Sequence, residues 1–443
     1  MSQARAELTY RQILIFWTPL AATWLMMAAE GPFLAAVIAR MGDPKFNLAA
    51  YGVAFSLAVL IEAPIIMIMS ASTALVKDSD SYLRLRNFTL ALIAAVTAVM
   101  LLFLIPPVFR LVVRGIIGLP EEVARLTYRA CWALLPWPGA IGYRRFYQGI
   151  LISRNLTRRV AYGTAVRLTS ITATGLILYH FSSIGGAFLG GAALGVSVTV
   201  EAAASRLMAA SSVKRLRRAE ASSQLPVLSY RFIARFYYPL ALTSLLGLGV
   251  HPIVTFFLGK SRMGLESLAV MPVVLSLVFI FRSLGLSYQE VAIALLSRGS
   301  RNLNRLRNFA ALLALCVSGA LAVIAFTPLS ELWFQNISGL TDSLTRLSVT
   351  PARIMAVIPA LTVWISLQRG VLVEHKQTTP ITLATMIEVA GIFCMLALTI
   401  HGLNMIGATA AALSLILGRT LANLYLVIPN SKIRKKTWAA SLG

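Results

Sequence analysis

The sequence predicts an all-α membrane protein of twelve transmembrane helices in two pseudo-symmetric six-helix bundles. Three observations predict it. Apolar stretches long enough to cross about 30 Å of hydrocarbon recur from end to end. Hydrophobic residues make up 58% of the 443-residue chain and charged residues 13%, a balance foreign to soluble proteins of this size. The first half of the chain also recurs in the second. At an offset of 220, Arg11, Ile13, Phe16, Pro19, Leu20, Ala21, Thr23, Leu25, Pro32, Leu48, Ala49, Ser56 and Leu57 meet identical residues. One residue further along, Arg86-Asn87-Phe88 returns as Arg307-Asn308-Phe309, and Pro138, Gly149, Leu151, Thr157 and Thr164 return as Pro359, Gly370, Leu372, Thr378 and Thr385.

The spans fall near 11–39, 46–75, 87–112, 127–152, 158–180 and 184–210, then 231–258, 265–297, 308–329, 344–369, 379–400 and 404–429. Span one carries Trp17, Pro19 and Glu30 and is copied inside the chain, so it reads as structure and not as a cleaved signal. Gly186, Gly190, Gly191 and Gly195 in span six place small residues for close helix contact. The organisation is an N-terminal bundle (1–210), a basic cytoplasmic linker (211–230), a C-terminal bundle (231–430) and a basic cytoplasmic tail (431–443). Cys131, Cys316 and Cys394 lie within spans and read as small buried apolar residues. No CxxC pair or other metal-ligand spacing occurs, and no cofactor is expected.

The formal net charge of +24 sits in short loops. Lysines and arginines that hold loops on the cytoplasmic side explain it better than nucleic-acid binding. Loops after even-numbered spans carry groups such as Lys77, Arg84 and Arg86, or Lys214, Arg215, Arg217 and Arg218. This bias puts both termini in the cytoplasm of a cell (inner) membrane protein and makes the repeats parallel.

Catalytic motifs are missing. Gly259-Lys260-Ser261 ends like a phosphate-binding loop, but Val254 stands where that loop needs glycine, so an enzyme is not expected. The informative residues are ionisable groups inside spans, each costing roughly 2.5–3.5 kcal/mol at a lipid-facing helix centre. Glu62 aligns with Arg282, and Arg167 with Glu388, so repeat-equivalent positions carry opposite charges. The expectation is a cavity lined by spans one, two, seven and eight, with Arg282, Glu62, Arg167, Glu388 and Arg353 as substrate-binding candidates; the alternative is salt bridges inside one half. Arginine's planar fork suits phosphate and carboxylate oxygens. Arg144, Arg145 and Arg369 are expected to snorkel to headgroups. Glu30-Gly31-Pro32 matches His251-Pro252, and proline there frees a carbonyl on the preceding turn. Pro32 and Pro252 are therefore hinge candidates, and Glu30, His251 and Glu290 are candidates for coupling to H+ or Na+.

The duplicated twelve-span plan resembles the multidrug/oligosaccharidyl-lipid/polysaccharide (MOP) flippase superfamily, which includes the multidrug and toxic compound extrusion (MATE) transporters. Within it the chain resembles the progressive ankylosis (ANK) protein family. Pro19-Leu20, Tyr51 to Leu57, Gly149-Ile150-Leu151, Phe236 to Leu242, Pro252-Ile253-Val254 and Pro351 to Ile354 carry that resemblance. It implies a V-shaped pair of bundles with a central cleft, and export of small polyvalent anions such as pyrophosphate, nucleotides or citrate. The MATE branch commonly uses acidic residues in spans one and seven; here Glu30 fills the first place, while span seven offers His251 and no carboxylate. The expected function is a secondary active transporter exporting a small anionic solute by alternating access. Its expected surroundings are membrane lipids, its expected state is a monomer, and no nucleic acid is expected as a partner. The alternatives are a cation-coupled multidrug exporter, a lipid-linked oligosaccharide flippase and a non-transporting scaffold.

Overall fold

A computed structural model describes residues 8–154, 156–218, 228–296, 303–375 and 377–439. The regular structure is helical. The first repeat folds as α1 (Tyr10–Ala28), α2 (Glu30–Ala39), α3 (Pro44–Glu62), α4 (Ile68–Leu75), α5 (Ser79–Phe103), α6 (Pro106–Arg110), α7 (Glu121–Ala133), α8 (Trp137–Ser153), α9 (Thr157–Phe181), α10 (Gly186–Met208) and α11 (Ala210–Arg218). The second folds as α12 (Tyr230–Leu248), α13 (Val250–Gly259), α14 (Gly264–Leu296), α15 (Leu303–Phe326), α16 (Leu329–Glu331), α17 (Asp342–Met355), α18 (Ile358–Glu374), α19 (Thr379–Ala397) and α20 (Gly407–Ala439). Among the described residues, ten helical stretches are long and apolar enough to cross a membrane. The two remaining spans expected from the sequence coincide with α7–α8 and α9. Helix α7 carries Glu121, Glu122, Arg125 and Arg129 and is separated from α8 by a turn, while Arg167 and several threonines dilute α9. The chain is an integral multi-pass membrane protein with the expected fold class.

The duplication reaches the backbone. Asp43 and Met263 occupy the same loop position with φ of 51° and 54°, and Gly118 and Gly339 share φ of 84° and 74°. Each of those glycines follows a π-helical turn, Leu111–Ile116 or Leu332–Ile337. The turns close alike: Ile117 N donates to Val112 O at 3.0 Å and Ser338 N to Trp333 O at 2.8 Å. A left-handed backbone ends each turn, which glycine adopts without a Cβ penalty. The first span of each repeat breaks at matching places, Ala29 and Gly249, three residues before Pro32 and Pro252. A proline ring has no N–H for the carbonyl four residues back, so the break lies where the sequence puts it.

Packing divides the chain into two compact units, Met1–Pro32 with Ser261–Gly443, and Phe33–Lys260. The unit boundaries differ from the repeat boundaries because the first helices pack in exchanged cores. Ile13 of α1 is buried with Tyr288, Leu306 and Leu372 of the second repeat, while its equivalent Ile233 of α12 is buried with Tyr82, Phe146 and Ile150 of the first. Each exchanged helix donates one equivalent bond to its new neighbour. Trp17 Nε1 reaches Leu284 O at 3.4 Å and Ser287 Oγ at 2.8 Å, and Tyr237 Oη donates to Pro64 O at 2.7 Å. Positions 17 and 237, and 64 and 284, are repeat mates.

Three expectations change. The basic start of the linker is not simply solvated: 210–218 forms α11, whose Val213 and Leu216 bury in the core of their unit while Lys214, Arg215, Arg217 and Arg218 stay exposed. Apolar residues three apart on one helix face make that docking possible. Residues 219–227 of the linker lie outside the described residues. The tail is also not separate, because α20 continues to Ala439 and buries Ile433. Finally, Cys131 is buried, but Cys316 and Cys394 face outward. An apolar residue gains as much from lipid as from a core, so hydrophobicity alone cannot choose between the two.

Candidate functional site: two buried charge clusters

Glu62 ends α3, where Pro64 interrupts span two and a short 3-10 turn, Ala63–Ile65, follows. The second repeat has Leu284 at that place, and α14 runs on unbroken past Arg282. The turn's carbonyls are held by α12: Ser244 Oγ donates to Ala63 O at 2.6 Å, beside the Tyr237 bond. The break thus fixes Glu62, 4% exposed, within its own unit.

Around Glu62 stand Arg144 and Arg145 of α8, Arg167 of α9 and the Trp137 ring. Glu201 of α10, fully buried, completes the group. Arg144 donates to Glu201 Oε2 at 2.5 Å, Gln148 Nε2 donates to Glu201 Oε1 at 3.2 Å, and Arg167 Nη1 lies 3.9 Å from Oε2. Arg167 also lies over the Trp137 ring, 5.7 Å from its centroid. Arg144 and Gln148 are one helical turn apart on one face of α8, so both reach the same carboxylate. Glycines let the helices approach: a Cβ at Gly191 or Gly195 would stand 2.7 Å from the carbonyl of Ala130 or Ala133.

The other unit carries a second cluster. Arg419 of α20 forms an ion pair with Glu388 of α19 at 2.8 Å. Arg369 of α18 donates to Thr385 Oγ1 at 3.3 Å. Arg282 of α14 lies 5.9 Å from the Phe279 ring centroid and is an electrostatic neighbour of Arg419, Glu388 and Arg369. Asn423, four residues beyond Arg419, donates to the carbonyls of Leu361 at 3.1 Å and Arg419 at 2.9 Å.

These placements sort the candidates. The structure brings Glu62 and Arg167 together in one unit, and Arg282 and Glu388 together in the other. The charge inversion between repeats is therefore an inversion of the same two-position pair inside each unit. For Glu388 the within-half salt bridge is what forms. Arg144 does not snorkel: it is 5% exposed and ion-paired. Arg353 is engaged elsewhere, donating to Ala325 O at 3.0 Å near the end of α15 and lying over Phe326. Glu30 is buried at the first turn of α2, and Pro32 lies in that same turn. His251 is exposed on α13 with its ring edge-on to Phe55 at 6.4 Å, and Pro252 follows it. Glu290 is exposed on α14. Glu201 and Arg419 stand out in the sequence as ionisable residues within spans, but nothing there assigns them a partner. The i, i+4 pair Arg144/Gln148 is the signal that this face of α8 is polar and turned inward.

No known family profile matches the chain, and no curated protein sequence does either. Solved structures share its fold. A multidrug resistance MATE family transporter of the MOP superfamily, in an inward-facing conformation, aligns with a TM-score of 0.69 at 15% identity, covering 93% of this chain and 96% of that one. The lipid II flippase MurJ, inward closed, aligns with a TM-score of 0.67 at 15% identity, covering 94% and 87%. The eukaryotic MATE transporter AtDTX14 aligns with a TM-score of 0.67 at 13% identity, covering 94% and 95%. At these identities the likeness is one of fold.

Proposed function

We propose that this protein is a secondary active transporter that exports small polyvalent anions, of pyrophosphate, nucleotide or citrate type, by alternating access. One observation carries the reading: guanidinium outnumbers carboxylate in both clusters, whose members are all buried or half-buried. Three arginines meet two glutamates in one, and three meet one in the other. Arginine stays protonated in proteins, so the surplus is a standing positive charge inside apolar helices. Such charge is costly without a partner, and a polyvalent oxyanion supplies one. The shared fold of the MATE and MurJ structures supports transport across the membrane. Export from a cell with both termini cytoplasmic, driven by H+ or Na+, completes the reading.

Reconstitution tests it. Proteoliposomes preloaded with pyrophosphate, ATP or citrate should lose solute faster than protein-free liposomes, and an imposed proton or sodium gradient should change the rate. Release of none of the three, under any gradient, would end the proposal.

A second reading rests on Glu30, a carboxylate buried at the break in the first span. It is a cation-coupled multidrug exporter; a multidrug resistance MATE family transporter is among the structural neighbours. That reading requires efflux of cationic dyes that Glu30→Gln abolishes.

A further inference from the structure

We infer that Arg282, Arg369 and Arg419, together with Glu388, form the binding site for one small oxyanion of at least two negative charges, with phosphate or carboxylate chemistry. The inference rests on the anion-export reading and assigns its site to one unit.

The two clusters share two charged backbone positions, filled in exchange. Positions 62 and 167 carry Glu and Arg; their mates 282 and 388 carry Arg and Glu. That exchange leaves the charge unchanged. The other charged positions do not repeat: Arg144 and Arg145 of the first repeat have Ile365 and Ser366 as mates, and Arg419 of the second has Val198. Gln148 of the first repeat is replaced by Arg369 in the second, and Glu201 by Ala422. Where Glu201 accepts from Arg144 and Gln148 and faces Arg167, Ala422 is fully buried and its methyl side chain accepts nothing. The second cluster therefore keeps three guanidiniums but lacks the anion that closes the first.

Its donors are correspondingly underused. Each guanidinium presents five N–H groups in a fixed fork. Glu388 occupies Arg419 at 2.8 Å. Arg369 has the Thr385 hydroxyl at 3.3 Å, a neutral acceptor. Arg282 has the face of Phe279. The Nε atoms of Arg282 and Arg369 are buried and have no hydrogen-bond partner among the described residues. Arg144 and Arg145 also have such Nε atoms, but their cluster holds a second carboxylate, Glu62, beside them. Three guanidiniums against the single Glu388 carboxylate leave a surplus of two positive charges, which matches a dianion. Planar forks recognise phosphate and carboxylate oxygens in pairs, and the Glu388–Arg419 bridge holds one fork in place.

The test uses the full chain in nanodiscs of zwitterionic lipid, with pyrophosphate and citrate as probes in calorimetry. Wild-type protein should bind at least one probe. Arg282→Gln and Arg369→Gln should each weaken that binding at least tenfold, while Arg346→Gln, at an exposed arginine of the same unit, should leave it within twofold. Unfolding midpoints without probe establish that each variant is folded; should R282Q fail, R369Q, which installs the residue of the first repeat, stands alone. A second arm measures retention of anionic phospholipid by native mass spectrometry. Lipid retained by wild type and lost in R369Q, with no binding of either free probe, supports an oxyanion site but overturns a soluble anion as its occupant. Probe binding unchanged in both variants overturns the site and leaves export standing. Tenfold losses in binding without any efflux from proteoliposomes support the site and sink export.

Discussion

Replacing Glu201 by alanine should be the most damaging single change in the Phe33–Lys260 unit. The carboxylate is fully buried, and its Arg144 partner has a side chain only 6% exposed. Removing one partner of a buried ion pair costs about 3–5 kcal/mol, because the other charge stays behind without compensation. Here Gln148 also loses an acceptor at 3.2 Å, and Arg167 loses the charge it faces at 3.9 Å. Three arginines would then share Glu62 alone. The upper end of that range is therefore expected, a large fraction of the ~5–15 kcal/mol that typically holds a domain folded. The measurement is unfolding of purified protein by SDS titration, with tryptophan fluorescence as the signal. E201A should be strongly destabilised, and the double substitution R144L/E201L should recover most of the loss, since apolar pairs often replace buried ion pairs at little cost. An E201A stability within about 1 kcal/mol of wild type would refute this account of burial and pairing.

The remaining predictions concern the scaffold. Tyr237→Phe removes the hydroxyl bond to Pro64 O and should cost about 0.5–1.5 kcal/mol by the same titration. Trp17→Phe, at the repeat-equivalent place, should cost a similar amount plus lost packing. Gly195→Leu drives a side chain against the Ala133 carbonyl, which stands 2.7 Å from where the new Cβ must sit, and should destabilise by about 1–3 kcal/mol or more. Asp78, outside the spans, caps α5 by accepting from Ser81 N at 2.9 Å, and its bonds with Ser81 hold its carboxyl below the ordinary value. Its contribution is complete above the unfolded-state value near about 4 and is lost as pH falls through the lower folded value. Asp78→Ala should cost about 1 kcal/mol at pH 7 and progressively less under strongly acidic conditions, read from thermal unfolding across pH.

Fold class was legible in the chain itself, because apolar stretches of bilayer length leave helices as the way to satisfy the backbone in lipid. The repeat was legible too, down to the matching breaks before Pro32 and Pro252, because a missing N–H acts locally. So was the need of Glu62, Arg167, Arg282 and Glu388 for partners, since hydrocarbon cannot solvate them. Which partners they found depended on how the helices assembled. Glu201 and Arg144 are 57 residues apart, and Arg419 and Glu388 belong to different helices. Neither pairing leaves a trace in local periodicity. The exchange of α1 and α12 between cores was equally hidden, because Ile13 and Ile233 are identical residues whose neighbours are chosen by packing alone. Short-range geometry writes itself into sequence; the choice among equally apolar or equally charged neighbours is made only when whole helices come together.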